Sequence, residues 1–203
     1  SFRMSAEMVR DNALAISGLL SPEIGGPSVY PYQPEGLWDE ISNKPWRYKY
    51  LQQSGEGLYR RSLYTIWKRT SGPPSMLIFD VGERGVCTVK RRQTSTPLQA
   101  LVLLNDPQYL EASRVVAENL MADYSGNVDV MCTGRNPSDT ELGVLSKFHE
   151  EELKRFTEAK EDAIAYTRIG SSEVKAGLDP VSLAALATVI NGVMNTYEGY
   201  TIR

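Results

Sequence analysis

The chain has 203 residues, of which 41% are hydrophobic and 23% are charged, and its formal net charge is -3. This length and composition are enough to build one domain around a sizeable core, so the chain should fold. The longest apolar stretches, such as Leu98 to Leu104, are much shorter than the roughly 18 residues that a membrane-spanning helix needs. We therefore expect no membrane span.

The chain opens with a helix. Ser5 is a good N-cap and precedes apolar residues at three-to-four spacing, which predicts a helix that ends near Ser21. Residues 21–36 are rich in Pro and Gly and have no periodicity, so they should form a loop that aromatic side chains anchor on the core. Residues 37–42 can form a short helix.

The middle of the chain has weaker patterns. Residues 58–69 carry apolar side chains on helical faces and predict a helix, although the central Leu-Tyr-Thr-Ile-Trp run also fits a strand. Gly72-Pro73-Pro74 ends this element. The short apolar run Met76 to Asp80 is compatible with an extended segment, and residues 82–93 show little period.

Helices dominate the rest of the chain. Their start signals are Thr96-Pro97, Asp106-Pro107, the capping box Ser138-Asp139-Thr140-Glu141 and Asp179-Pro180. The last helix is apolar nearly all round and belongs in the core. The predicted fold is mainly α: an irregular helical domain with long Pro/Gly/aromatic-rich loops and room for one short strand pair. We treat residues 1–203 as a single module, with a motif-bearing part (1–124) and a C-terminal helical part (133–203).

Positive charge is concentrated in residues 60–92, which carry +6 from eight cations and two carboxylates. The cations are Arg60, Arg61, Lys68, Arg69, Arg84, Lys90, Arg91 and Arg92. Converging on one surface, they would bind an anionic partner or an anionic polysaccharide. Alternatively, they pair within the chain, for instance with the acidic helices at Glu150 to Glu152 or Glu158 to Asp162. Nucleic acid is disfavoured, because the pI is about 5.4 and no recognition motif is present.

Aromatic residues are concentrated between residues 30 and 67. We identify a candidate aromatic surface in Tyr30, Tyr32, Trp38 and Trp46. Aromatic rings stack on sugars, so these residues could form a glycan surface. The alternative is that they pack beneath irregular loops, which lack periodic apolar faces of their own.

The sequence gives no sign of catalysis. It has no Gly-x-Ser-x-Gly, no Gly-rich phosphate loop, no clustered metal ligands and a single histidine, His149, in a charged stretch. We therefore predict no catalytic residue, no metal and no cofactor within this chain. The two cysteines, Cys87 and Cys132, fit either one disulfide or two buried thiols.

Several runs, in order along the chain, resemble a known family. They include Arg10-Asp11-Asn12-Ala13-Leu14, Gly25-Gly26-Pro27-Ser28-Val29, the segment from Tyr59 to Arg69, and the segments from Thr94 to Leu101 and from Leu104 to Pro107. The family is the planctomycete-specific C-terminal domain of unknown function, found in large secreted or periplasmic proteins beside a cytochrome c-like domain. The resemblance covers the chain nearly end to end and thins beyond Asp123. The resemblance implies that the family's usual first half would lie upstream of Ser1.

The resemblance implies a cellular context and no reaction. It implies a periplasmic or secreted part of a larger protein, whose partners are the other domains of that protein, including the cytochrome c-like domain. It also favours a disulfide between Cys87 and Cys132.

Our leading functional prediction is a non-catalytic interaction module that binds an anionic glycan or partner through the basic segment. The alternatives are an accessory domain of a cytochrome c-linked oxidoreductase, and a structural or assembly domain whose cations are paired internally.

Overall fold

A computed structural model describes residues 2–41, 49–82, 85, 87–122 and 132–202. The described residues contain eight α-helices and one pair of short antiparallel strands, so the prediction of a mainly α fold with one strand pair is confirmed. The helices are α1 (Ala6–Ser17), α2 (Leu37–Ile41), α3 (Pro74–Ile78), α4 (Pro97–Asn105), α5 (Pro107–Ala122), α6 (Asp139–Glu158), α7 (Lys160–Thr167) and α8 (Pro180–Met194). The strands are β1 (Phe2–Arg3) and β2 (Thr201–Ile202).

The predicted capping residues begin their helices. Ser138 and Glu141 form a reciprocal capping box at α6: Ser138 Oγ accepts a hydrogen bond from Glu141 N at 3.3 Å, and Glu141 Oε2 accepts one from Ser138 N at 2.7 Å. At α8, Asp179 accepts a hydrogen bond from Ser182 N at 2.8 Å, and this bond holds the pKa of Asp179 below its ordinary value. Each cap satisfies backbone donors that the first turn of a helix leaves without an intrahelical acceptor.

Helices α5 and α8 form the centre of the molecule. Ala112, Val116 and Ala117 of α5 are completely buried, as are Ala187 and Ile190 of α8. The small side chains allow close packing of the two helices, and α1 covers the same core from one side. The core therefore draws on both the 1–124 and the 133–203 parts of the chain.

Helices α6 and α7 cover the other side of α8. Phe156 of α6 and Ala163 of α7 pack with Ala184 and Ala185 of α8 in a second, smaller cluster. Burial from two sides explains why α8 is apolar nearly all round, as predicted. In the described part of the chain, no helix combines the length and the apolar character that crossing a membrane requires.

The prediction of a helix over residues 58–69 is wrong. The structure has two 3₁₀ turns there, Gly55–Tyr59 and Ser62–Tyr64. Between the turns, Arg60 forms an isolated parallel bridge with Ser21. The backbone of this segment is also hydrogen-bonded to the Pro- and Gly-rich loop and to Arg10 of α1.

Arg10 of α1 is the physical reason for this difference. Its buried guanidinium donates hydrogen bonds to the carbonyls of Leu58 at 2.6 Å and Arg60 at 2.8 Å, and to the side chains of Gln108 at 2.6 Å and Ser62 at 3.2 Å. Burial lowers the pKa of Arg10. A helix over 58–69 would use these carbonyls internally and leave the buried cation without acceptors.

The run Met76 to Asp80 is also not extended. Pro74 starts the short helix α3, as proline at the first helical turn often does. The helix ends at Ile78, and Asp80, two residues further on, adopts a φ of +59°. The Asp80 carboxylate accepts hydrogen bonds from Thr94 N at 2.8 Å and from Arg3 at 2.5 Å. These bonds to β1 and to the segment before α4 stabilise the turn.

Candidate interaction site

Arg60, the first cation of the basic segment, lies inside the protein. It is buried, and its guanidinium donates hydrogen bonds to the carbonyls of Pro27, at 3.1 Å, and Gly25. It also lies 4.1 Å above the ring of Tyr64 and 3.5 Å from a carboxylate oxygen of Glu23. Arg60 therefore holds the Pro- and Gly-rich loop in place and does not face an external anion.

Two more cations have partners within the chain. The Lys68 ammonium lies 5.0 Å from the ring centroid of Trp38, and Arg91 donates to both carboxylate oxygens of Glu7 at 2.8 Å. Burial by itself would raise the pKa of Glu7, but hydrogen bonds from its own backbone N–H and from Arg91 bring it below the ordinary value. Within the described ranges, no cation of the basic segment pairs with the acidic stretches of α6 and α7.

The other described cations of the segment point to solvent. Arg61, Arg69, Lys90 and Arg92 are exposed, and none of them forms an ion pair with another described residue. Arg84 lies outside the described residues. Because Arg60 lies inside the protein, the eight cations do not all converge on one external surface. Arg61 directly precedes the second 3₁₀ turn, whereas Lys90 and Arg92 precede α4.

Helix α4 exposes leucines to solvent. Leu98 is 54% exposed, Leu101 53% and Leu104 41%, and their i, i+3, i+6 spacing places them in one stripe. The opposite face of α4 buries Gln99 and Leu103. We call Leu98, Leu101 and Leu104 the leucine stripe. Contiguous exposed apolar side chains of this kind mark interaction surfaces in soluble proteins.

One cavity lies beside α4, and a second cavity adjoins it. The first has a volume of about 660 Å³, with apolar walls from Pro74, Ile78, Leu101, Val102 and Pro107. The second has a volume of about 320 Å³ and is lined by Trp38, Lys49 and Tyr50 among others. Gln33, Pro34, Glu35 and Gln52 line both cavities. The Pro- and Gly-rich loop therefore forms the wall that the two cavities share.

The candidate aromatic surface is largely an internal cluster. Tyr30, Trp38 and Tyr50 pack edge to face, with ring centroids 5.1 to 6.4 Å apart, and Trp38 is only 8% exposed. The Tyr50 hydroxyl donates to the Pro31 carbonyl at 2.5 Å, and burial raises the pKa of Tyr50. This is the geometry of rings that anchor a loop, not of an open stacking platform. Trp46 lies outside the described residues.

Tyr32 has a different role, because its hydroxyl donates at 2.9 Å to Glu111, a completely buried carboxylate of α5. Glu111 also accepts hydrogen bonds from the Tyr59 hydroxyl at 2.8 Å and from the backbone N–H groups of Ser171 and Ser172 at 2.7 Å. Burial, followed by the charge of Glu111, raises the pKa of Tyr32 to about 12. This cluster joins the loop, the first 3₁₀ turn, α5 and the chain after α7.

Sequence reasoning missed this cluster. Glu111, Arg114 and Glu118 lie at i, i+3 and i+7 on the inward face of α5, and all three are buried. Arg114 bonds to Glu118 and donates to the Ser172 carbonyl at 3.0 Å. The sequence signal was available: charged residues of alternating sign share a helix face with buried apolar residues, which is typical of an internal ion-pair row.

Comparison with known proteins gives a family and no function. The sequence matches PSD1, described as a protein of unknown function (DUF1553), over residues 1–149. The chain belongs to this family. The leucine stripe, both cavities and Glu111 all lie within the matched residues, whereas Ser171 and Ser172 lie beyond them. No curated protein and no solved structure matches the chain.

The two cysteines are not joined by a disulfide in the structure. Cys132 is buried in the main hydrophobic cluster, whereas Cys87 is exposed on the segment that precedes Lys90. The expectation of two buried thiols is therefore wrong for Cys87.

Proposed function

We propose that this chain is a non-catalytic interaction module that docks a protein surface with an apolar centre and an acidic rim. The observation that carries the proposal is the exposed leucine stripe of α4, preceded along the chain by Lys90 and Arg92, which have no ion-pair partner among the described residues. Such cations would match acidic groups around the rim of a partner.

One partner surface is large enough to cover both features. Leu98 lies only six positions after Arg92, so their Cα atoms are at most about 22 Å apart. A specific interface buries about 800 Å² per partner, which corresponds to a patch about 30 Å across. The cations would therefore lie at the edge of an interface centred on the leucines.

The leucine stripe favours a protein over an anionic polysaccharide. Sulfate or carboxylate groups of a polysaccharide could pair with Lys90 and Arg92, but its hydroxyl-rich surface would leave the leucines without apolar contacts. A protein partner provides both kinds of contact. A purely structural role is less well supported, because it does not explain why the leucines are exposed.

Another domain of the parent polypeptide is the first natural partner to test. This choice rests on the resemblance to domains that occur beside a cytochrome c-like domain, and a periplasmic or secreted location is part of the same proposal. Docking of that domain would make this chain an accessory domain of a cytochrome c-linked oxidoreductase.

The chemistry of the surface can be tested with synthetic probes. Two helical peptides with the same leucine face, one with a glutamate rim and one with a lysine rim, are titrated against the chain by fluorescence anisotropy. Heparin and phosphatidylglycerol vesicles are the comparison ligands. We expect the glutamate-rim peptide to bind most tightly, and its binding to weaken as salt rises from low to physiological concentration.

Matched variants locate the binding surface. The double variant Leu98→Asp with Leu104→Asp, and the double variant Lys90→Glu with Arg92→Glu, should each weaken binding at least tenfold. The controls are Leu142→Asp, at a leucine of α6 that is 44% exposed, and Lys154→Glu on the same helix. Preference for heparin or vesicles, equal binding of the lysine-rim peptide, or equal losses in the controls would each refute the proposal.

A further inference from the structure

The wall between the two cavities carries two amides that make no hydrogen bond within the described part of the chain. Gln33 and Gln52 line both cavities, and neither side chain donates to or accepts from another described residue. The Gln33 Nε2 atom is also buried without an acceptor. Buried polar groups are nearly always hydrogen-bonded in folded proteins, so this amide is available to a ligand.

The described lining of the first cavity disfavours anionic ligands. Among the described residues that line it there is no lysine or arginine, and the charged ones are Glu35 and Asp106. Burial raises the pKa of Asp106, which means that added negative charge nearby would be costly. The remaining wall is mostly apolar, from Pro74, Ile78 and Val102 among others. A ligand in the first cavity therefore carries no negative charge and has an apolar group.

The geometry points to a short peptide segment as this ligand: we propose that the paired cavities bind an uncharged, extended peptide with a bulky apolar side chain. That side chain occupies the first cavity, and backbone peptide groups pair with the amides of Gln33 and Gln52. A carboxamide offers one acceptor and an N–H donor side by side, which matches the C=O and N–H of a peptide backbone. Both cavity volumes lie near the range of small-ligand sites.

This site is separate from the docking surface proposed above, although Leu101 contributes to both. Variants at Leu101 are therefore not informative. The docking surface is tested through Leu98 and Leu104, and the cavities through Gln33, Gln52 and Ser75.

The test is an NMR titration of the whole chain with blocked tripeptides. Acetyl-Ala-Leu-Ala-amide is the neutral probe, acetyl-Glu-Leu-Glu-amide is the anionic probe, and cellobiose is the sugar probe. The side-chain amide resonances of Gln33 and Gln52 report directly on the site. We expect the neutral tripeptide to shift both resonances and to bind at least tenfold more tightly than the anionic one.

Variants separate the contribution of each group. Gln33→Met and Gln52→Met keep the approximate side-chain shape and remove the amide, so each should weaken binding about fivefold, the effect of one neutral hydrogen bond. Gln93→Met, at an exposed glutamine outside both cavities, should leave binding unchanged. Ser75→Phe should fill the first cavity and abolish binding.

Three outcomes would overturn the proposal: no shift of the Gln33 and Gln52 resonances at 10 mM tripeptide, tighter binding of cellobiose or the anionic probe, or equal weakening by Gln93→Met. The Leu98 and Leu104 double variant should keep full affinity for the neutral tripeptide, whereas Gln33→Met should keep full affinity for the glutamate-rim helix. Each proposal can therefore fail independently of the other.

Discussion

Gly170 lies directly against the buried carboxylate of Glu111 and has a φ of +100°. A β-carbon at this position would lie 2.4 Å from Cδ and 2.6 Å from Oε1 of Glu111. The substitution Gly170→Ala must therefore displace a carboxylate that holds Tyr59, Ser171 and Ser172 through the same oxygen. The left-handed backbone adds about 1 to 2 kcal/mol of strain for any residue with a side chain.

The size of the effect follows from the contacts that are lost. A hydrogen bond to a charged group contributes about 1.5 to 3 kcal/mol, so loss of two of the bonds to Glu111, together with the backbone strain, predicts a loss of about 4 to 8 kcal/mol in the free energy of unfolding. Small domains have only about 5 to 15 kcal/mol of total stability. Gly170→Ala should therefore leave the chain close to unfolding at room temperature.

Urea denaturation followed by circular dichroism measures this loss against a matched control. Gly177 also has a positive φ, +86°, but a β-carbon there would have no described atom within 4 Å apart from its own chain neighbours. Gly177→Ala should therefore lower the free energy of unfolding by the backbone strain alone, about 1 to 2 kcal/mol. In a double-mutant cycle, Gly170→Ala should cost much less in a Glu111→Ala background, because the clash is gone. Equal losses at Gly170 and Gly177, or additive losses in the cycle, would refute this reasoning.

Two further predictions concern stability. Arg10→Met should lower the free energy of unfolding by about 3 to 5 kcal/mol in the same urea assay, because it leaves two buried carbonyls without a donor; the exposed control Arg61→Met should change it by less than about 0.5 kcal/mol. The pKa of Tyr32 is raised to about 12 in the folded chain. Its contribution to stability is therefore complete below pH 10 and is lost as the pH rises from 10 to 12, by about 1 kcal/mol after allowance for its partial exposure. Tyr32→Phe with Tyr59→Phe should make the loss of stability over that range smaller, and an unchanged alkaline profile would contradict the assignment.

The helices that could be predicted from the sequence are those whose start signals are local. Ser138 with Glu141, and Asp179 with Ser182, are separated by only three residues, so the capping contact is visible in the sequence itself. The apolar character of α8 likewise predicts its central position, because no other environment suits such a helix.

The elements that could not be predicted depend on contacts between distant residues. Residues 58–69 have a helical pattern, but Arg10 lies some fifty residues away and binds the carbonyls of Leu58 and Arg60. No window of local sequence contains both the cation and its acceptors. The same limitation applies to Glu111, because its ligands come from three separate parts of the chain.

The candidate site could be predicted only in part. Charge counting correctly located a basic segment, but it could not show that Arg60 is buried or that Arg91 pairs with Glu7. The leucine stripe was present in the sequence as part of an apolar helix. Its exposure could not be seen, because it depends on which face of α4 packs against α3, α5 and α8.

The Glu111 cluster also has a kinetic consequence. Its hydrogen bonds to Tyr32, Tyr59 and Ser171 close chain segments of 79, 52 and 60 residues. Closing loops of this length costs chain entropy, and the loops must close before the donors can reach the Glu111 carboxylate. The cluster should therefore form after the main folding barrier. Damage to it would then shorten the lifetime of the native state and leave the folding rate nearly unchanged. The hydrogen bonds of the buried carboxylate would therefore form last during folding and break first during unfolding.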